Sequence, residues 1–175
     1  MPAYRRARPN ADEFAPFYAG YLQQVPDGDV VEALIGGAEI AAALLHDVPE
    51  EVAQKAYAPG KWTLKQVILH LADAERIFAY RALRIGRGDS TDLPGWDETA
   101  YAPASGANDR SLESLLDELE SVRESTVTLF EGLPEEAWTR RGRANGQSIS
   151  VRAIAWITAG HLLHHLEIIQ ERYLV

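Results

Sequence analysis

The stretch "TLKQVILHLADAERIFAYRALRIG", residues 63–86, predicts a long amphipathic helix. Thr63 and Gln66 match a capping box, in which the two side chains satisfy free backbone N–H groups at a helix start. Gly86 and Gly88 provide a C-terminal stop. Steps of four and three residues, typical of a helix that faces a bundle core, connect an inward stripe of Thr63, Val67, His70, Ala74 and Ile77.

Three further segments carry the same helical periodicity, and almost nothing in the chain is typical of a strand. The first helix is predicted over residues 30–47 with Asp29 as N-cap, and the third over residues 111–132. The fourth is predicted to begin at Ser148 or Ser150 and to extend to about Tyr173. A shorter helix is expected within "DEFAPFYAGYLQQVP", ahead of the bundle.

The connections between these helices indicate how they are arranged. A short proline-containing link joins the first two helices, which favours antiparallel neighbours. Residues 86–110 form a much longer connection, which is long enough to let the second and third helices run parallel. Such a segment is either a crossover or a functional lid. We therefore predict an all-α fold, a four-helix bundle with one long crossover, in a single domain over residues 1–175.

Composition excludes several classes of function. The net charge of −9 argues against nucleic-acid binding, which depends on clustered lysine and arginine. The chain has no cysteine, so only histidine, aspartate or glutamate could hold a metal ion. No apolar run is long enough to cross a membrane, and "MPAYRRARPN" lacks the apolar core of a signal peptide. We therefore expect a cytoplasmic location.

Three of the five histidines lie in "GHLLHHLEII", residues 160–169. His161 and His165 are one helical turn apart, a spacing that suits two imidazoles on one divalent metal ion. Both fall on the inward stripe of the fourth helix, whereas His164 lies on an alternative stripe that periodicity alone does not exclude. A third imidazole, His70, faces inward from the second helix at a matching height if the two helices run antiparallel.

Three imidazoles with open coordination positions are more typical of a catalytic metal site than of a structural one. Asp73 lies one turn after His70, and Glu167 lies close to His165. Either carboxylate could orient an imidazole or accept a proton, although exposed helical acids usually do neither. In the long connection, Trp96 and Tyr101 are expected to form a wall of the metal pocket, with stapling of the crossover to the bundle as the alternative.

The chain resembles the DinB/YfiT-like superfamily of small bacterial proteins. The resemblance is carried by "YAPGKWTLKQVILHLADAERIFAYRALRIGRGD", "LPGWDE", "RGRANG" and "SVRAIAWITAGHLLHHLEIIQERYL". It implies an up-down-down-up bundle with a metal site made by His70, His161 and His165, so that His164 is not a ligand. Relatives often have an acidic residue directly after the Gly-His pair, where this chain has Leu162.

The resemblance also implies a function. Members include metal-dependent transferases of low-molecular-weight thiols such as bacillithiol or mycothiol, and others resemble glutathione-dependent isomerases. We expect a zinc- or nickel-dependent transfer of a small-molecule thiol to an electrophile, with no nucleic-acid or membrane partner and a homodimer left open. Arg76, Arg81 and Arg84 could neutralise carboxylates of the thiol, although surface ion pairing is the commoner use. The alternatives are a metal-dependent hydrolase and a non-enzymatic metal-binding stress-response protein.

Overall fold

The protein is described over residues 2–175 by a computed structural model, and it is mostly helical. Its helices, in chain order, are α1 (Ala3–Arg6), α2 (Ala19–Gln24), α3 (Val30–Leu45), α4 (Glu50–Ala53), α5 (Leu64–Gly86), α6 (Glu98–Ala104), α7 (Leu112–Glu131), α8 (Glu135–Trp138) and α9 (Val151–Arg172). Strands β1 (Arg141–Ala144) and β2 (Gln147–Ser150) form one hairpin, and 3₁₀ turns cover Ala11–Glu13, Pro16–Tyr18 and Ala107–Asp109.

The four long helices, α3, α5, α7 and α9, begin where the sequence predicts them. The side chains of Asp29, Ser111 and Ser150 each accept a hydrogen bond from a backbone N–H in the first turn of their helix. At α5, the backbone N–H of Thr63 donates to Gln66 at 2.9 Å and the N–H of Gln66 donates to Thr63 Oγ1 at 3.1 Å. Local capping chemistry therefore accounts for the boundaries of the bundle helices.

Contacts between helices confirm the parallel arrangement of α5 and α7. Near the two helix starts, Lys65 Nζ donates to the carbonyl of Arg110 at 2.6 Å. Midway along, Arg76 pairs with Glu118 at 2.7 Å. The α9 helix runs the other way, because His70 near the start of α5 meets the second half of α9. The crossover therefore completes the predicted up-down-down-up bundle.

The hairpin is the part of the fold that the prediction of an almost strand-free chain missed. Asn145 and Gly146 both have positive φ, 51° and 72°, as a two-residue hairpin turn with the favoured twist requires. The hairpin also holds the crossover, since the N–H of Leu93 donates to Arg143 at 3.0 Å and the N–H of Asn145 donates back to Leu93 at 2.9 Å. The crossover itself contains α6, a short helix that was not predicted within the long connection.

The histidines lie where two apolar clusters meet. One cluster fills one end of the bundle around Trp138, Phe130 and Trp156, and the other fills the opposite end around Leu64 and Ile169. His70 and His161 lie at the level between them and are both buried. Burial of these clusters supplies the main stabilisation of the bundle, independently of the imidazoles.

A charged pair is also buried inside the bundle. Arg123 of α7 donates two hydrogen bonds to the carboxylate of Glu75 on α5, both at 2.8 Å, and a third to the carbonyl of Leu34 on α3. Only 4% of each charged side chain is exposed. Because every one of these polar groups has a partner, the pair satisfies the main requirement for burying charge.

Among the described residues, no helix is both long enough and apolar enough to cross a membrane.

Candidate metal centre

Three histidines converge in the middle of the bundle. His70 comes from α5, and His161 and His165 come from one face of α9. One ring nitrogen from each lies within 4.8 Å of the other two, and the Nε2 atoms of His70 and His161 are 3.2 Å apart. His70 and His161 are 4% and 5% exposed, and His165 is half-buried. The structure thus brings together all three histidines that the sequence analysis singled out.

The donor set suits a divalent metal ion. Two nitrogens that each lie about 2.1 Å from a tetrahedral zinc ion are ~3.4 Å apart, close to the separation between His70 and His161. Imidazole is a good ligand for both zinc and nickel. The cluster contains no carboxylate, and three ligands leave at least one coordination position for another molecule.

Burial keeps these imidazoles uncharged. Desolvation lowers the pKa of His70 to about 4. It also lowers the pKa of His165 to about 3, with smaller contributions from His70 and His164, and holds the pKa of His161 well below its usual value. Neutral imidazole is the form that binds metal, so the cluster is ready for ligation at neutral pH.

Metal-free protein is therefore expected to lose stability as the pH falls from about 6.5 towards 4. In this window the unfolded chain protonates His70, His161 and His165 while the folded chain keeps these three imidazoles neutral, so protons favour unfolding. Above the window these three imidazoles are neutral in both states. Urea unfolding of chelator-treated protein at pH 7.5, 6 and 5 measures the effect. His46, which is exposed, provides the control: His46→Gln should keep the pH dependence and His70→Phe should weaken it. A free energy of unfolding that does not change between pH 7.5 and 5 would contradict the assignment of these histidines as buried and neutral.

His164 occupies a different environment from the other two histidines of α9. Its ring packs against Tyr21 of α2 at 5.1 Å between centroids and lies 5.3 Å from the ring of His165. It is half-buried and is not one of the three residues whose nitrogens converge. The geometry therefore separates His164 from the cluster, although His164 and the cluster member His165 are adjacent on α9.

Aromatic rings surround the cluster. Trp96 of the crossover lies nearly parallel to His70, with ring centroids 5.8 Å apart, and Tyr101 packs against Trp96 at 5.2 Å. Trp96 therefore lies beside His70, and Tyr101 contacts Trp96. A role for either ring as a wall of the metal pocket stays a prediction. Three further rings, not predicted from the sequence, also pack on the cluster: Trp62 lies beside His70, and Tyr21 and Phe78 lie beside His161.

The two carboxylates expected near the site have other partners. Asp73 accepts a hydrogen bond from Arg76 at 3.5 Å, and burial raises its pKa despite that arginine. Glu167 accepts a hydrogen bond from Gln24 at 2.8 Å. Neither belongs to the histidine cluster. A role for Asp73 as a base or as an orienting group stays a prediction.

The three arginines of α5 are all held by groups of the chain itself. Arg76 pairs with Glu118 at 2.7 Å, and Arg81 donates to the carbonyl of Pro94 at 2.9 Å. Arg84 pairs with Asp89. These guanidinium groups are therefore committed to fixing the crossover and α7 against α5.

Gly160 allows α2 to reach the cluster. A Cβ atom at this position would lie 2.0 Å from the backbone oxygen of Tyr21, so only glycine permits this approach. We expect Gly160→Ala to destabilise the protein by about 1–3 kcal/mol, the usual cost of overpacking, because the α2 backbone must move. Gly36→Ala is the control, since a Cβ there meets nothing within 4 Å and alanine favours the helix. Equal urea midpoints for the two variants would contradict the close approach.

Comparisons with known proteins agree with this architecture. The family model of the DinB superfamily matches residues 34–169. "Putative metal-dependent hydrolase OB0413" of Oceanobacillus iheyensis is 27% identical over 126 residues, which are 69% of this chain and 72% of that protein.

Two solved structures share the fold. YfiT from Bacillus subtilis, described as "a probable metal-dependent hydrolase with an unusual four-helix bundle topology", has a TM-score of 0.69 at 18% identity, covering 95% of this chain and 91% of that one. A mycothiol-dependent maleylpyruvate isomerase has a TM-score of 0.66 at 15% identity, covering 78% and 57%. From the family match and the shared bundle, we conclude that the chain belongs to the DinB superfamily.

Proposed function

We propose that this protein is a metal-dependent enzyme that transfers a low-molecular-weight thiol to small electrophiles. The observation that carries the proposal is the convergence of three neutral imidazoles beside an aromatic wall in a chain without cysteine. A sulfur nucleophile would then have to arrive with a cosubstrate. The proposed ligands are His70, His161 and His165, and the proposed ion is zinc or nickel.

Each part of the site has a task in this proposal. A divalent ion held by three imidazoles supplies a Lewis acid that lowers the pKa of a thiol or a water molecule beside it. His70 on α5 and His161 and His165 on α9 would hold the ion. Trp62 and Trp96 exclude water from the His70 side and offer an apolar surface to the electrophile. Tyr21 does the same beside His161.

A metal-dependent hydrolase is the second candidate, and two observations favour it. Both the relative from Oceanobacillus iheyensis and YfiT are named as metal-dependent hydrolases of putative or probable status. In addition, Arg76, Arg81 and Arg84 are engaged within the chain, so they offer no ready partner for a carboxylate of the thiol. The mycothiol-dependent isomerase with the same fold favours the thiol, although this chain spans only 57% of it.

The test begins with protein purified without an affinity tag, since a histidine tag binds zinc and nickel. Elemental analysis should find about one zinc or nickel ion per chain. Bacillithiol, mycothiol, glutathione and cysteine are then each supplied with a chloronitrobenzene electrophile, and conjugation should require one of the thiols, stop with chelator and return with metal. Thiol-independent cleavage of ester or amide substrates would replace the proposal with a hydrolase. Bound metal without turnover of either kind would replace it with a non-enzymatic metal-binding protein.

A further inference from the structure

A groove of about 750 Å³ lies between α3 and α7, and its lining includes none of the three histidines. The volume is typical of a site for a small organic molecule. It extends along α7 from Leu112 to Val127, about 22 Å at 1.5 Å per residue. The groove forms where α3 presents small alanine side chains opposite the leucines of α7. The apolar floor consists of Ala38, Ala41, Ala42, Leu116, Leu119 and Leu162.

Carboxylates surround this floor. Six acidic residues line the groove, and within residues 2–175 five of them form no ion pair with a lysine or an arginine: Glu39, Glu113, Asp117, Glu120 and Glu124. Glu118, a neighbouring acid on α7, differs because it pairs with both Arg76 and Arg110. The negative charge at the groove is therefore left without compensation by the chain itself.

The positive groups that line the groove do not cancel this charge. The guanidinium of Arg123 donates its hydrogen bonds to Glu75 and to the carbonyl of Leu34 in the bundle interior. His46 contacts the adjacent Asp47 at 2.8 Å and is exposed. Lys65 does not line the groove and pairs with Glu50, which does. A ligand in the groove thus meets an apolar floor and a negative rim.

This combination selects the chemistry of the occupant. An anion would be repelled by the rim, and a second copy of the chain would bring the same five carboxylates against them. A purely polar cation would gain nothing from the alanine and leucine floor. We propose that the groove between α3 and α7 is a second binding site, for a small amphipathic cation. Its alkyl or aryl body lies on the floor and its ammonium group lies among the carboxylates.

The test uses octyltrimethylammonium, because a quaternary ammonium cannot coordinate a metal ion at the histidines. Octanoate and octanol serve as probes with a similar alkyl chain but a negative or neutral head. In isothermal titration of the full-length protein, octyltrimethylammonium should bind at least tenfold more tightly than either. Its affinity should also fall as salt rises from 20 to 300 mM, because exposed charges are screened. Equal affinity for the three probes, or tighter binding of octanoate, would overturn the proposal.

Two pairs of variants locate the binding. Ala42→Phe places a ring on the floor and should weaken octyltrimethylammonium binding at least tenfold, whereas Ala43→Phe, on the adjacent exposed residue outside the groove, should not. Glu120→Gln with Glu124→Gln should weaken binding several-fold and reduce the salt dependence. The double variant Glu135→Gln with Glu171→Gln removes the same charge at exposed positions outside the groove. It should leave the affinity for octyltrimethylammonium and its salt dependence unchanged. The proposal would be overturned if Ala42→Phe and Ala43→Phe weakened binding equally, or if the two double glutamine variants did. Binding of a basic amphipathic peptide but not of octyltrimethylammonium would also overturn it.

Discussion

Replacing His165 by alanine is expected to abolish metal binding and metal-dependent activity while leaving the protein helical. Two imidazoles, His70 and His161, would remain, which are too few to hold and polarise a substrate complex. The fold should survive because the two apolar clusters pack on either side of the histidine level and do not depend on this ring. Elemental analysis measures the zinc or nickel bound per chain, and far-ultraviolet circular dichroism measures the helical content that should remain.

His164→Ala is the matched control for this variant. It deletes an imidazole from the same helical turn, but the ring that it removes packs against Tyr21 and lies outside the convergent cluster. We expect this variant to retain most of the metal and a normal circular dichroism spectrum. Equal metal loss in the two variants, or full retention by His165→Ala, would show that the ligands have been assigned to the wrong histidine.

Replacing Arg123 by methionine is expected to lower the free energy of unfolding by about 3–5 kcal/mol, the usual effect of breaking a buried ion pair. The substitution removes both hydrogen bonds to Glu75 and leaves a carboxylate that is only 4% exposed without its counter-charge. It also removes the donor to the Leu34 carbonyl, which joins α7 to α3. Urea unfolding at pH 7, monitored by circular dichroism, measures the loss.

The double variant Glu75→Leu with Arg123→Met shows whether the instability of Arg123→Met comes from the unpaired Glu75 carboxylate or from lost packing. Replacing both charges with apolar side chains of similar size is often neutral, so the double variant should recover most of the stability that Arg123→Met loses. Arg143→Met, which breaks an exposed pair with Asp92, should have little effect. A double variant as unstable as Arg123→Met would mean that the loss comes from packing and the Leu34 contact.

Sequence reasoning predicted the bundle well because its signals are local. The capping box at Thr63 and the N-caps at Asp29, Ser111 and Ser150 define helix starts within a few residues of chain. The inward phase of His70 follows from the spacing of apolar residues along a single helix. For the same reason, the convergence of the three histidines could be anticipated once two helices were assumed to run antiparallel.

The features that escaped prediction depend on residues far apart in the chain. Arg123 and Glu75 are 48 positions apart, so on their own helices they look like ordinary surface charges. Tyr21 reaches His161 only because α2 crosses α9 at Gly160, and no periodicity encodes that crossing. The hairpin did have a local signal, the Asn145-Gly146 pair, but its strands are four residues long and carry no clear alternation.

Under the proposed function, the crossover would influence selectivity while the helices hold the metal ligands. The three histidines belong to α5 and α9, whose packing fixes them, whereas Trp96 and Tyr101 belong to a segment attached at Leu93 by the hairpin and at Arg110 by Lys65. Between these two attachments, the carbonyls of Pro94 and Ala102 accept hydrogen bonds from Arg81 and Gln66 of α5, whereas most side chains of the segment, including Tyr101, are exposed. These exposed side chains can change with little effect on the helices that carry the imidazoles. Under the proposed function, divergence or directed evolution would change which molecules reach the site by altering these exposed side chains, while the three imidazoles stay in place.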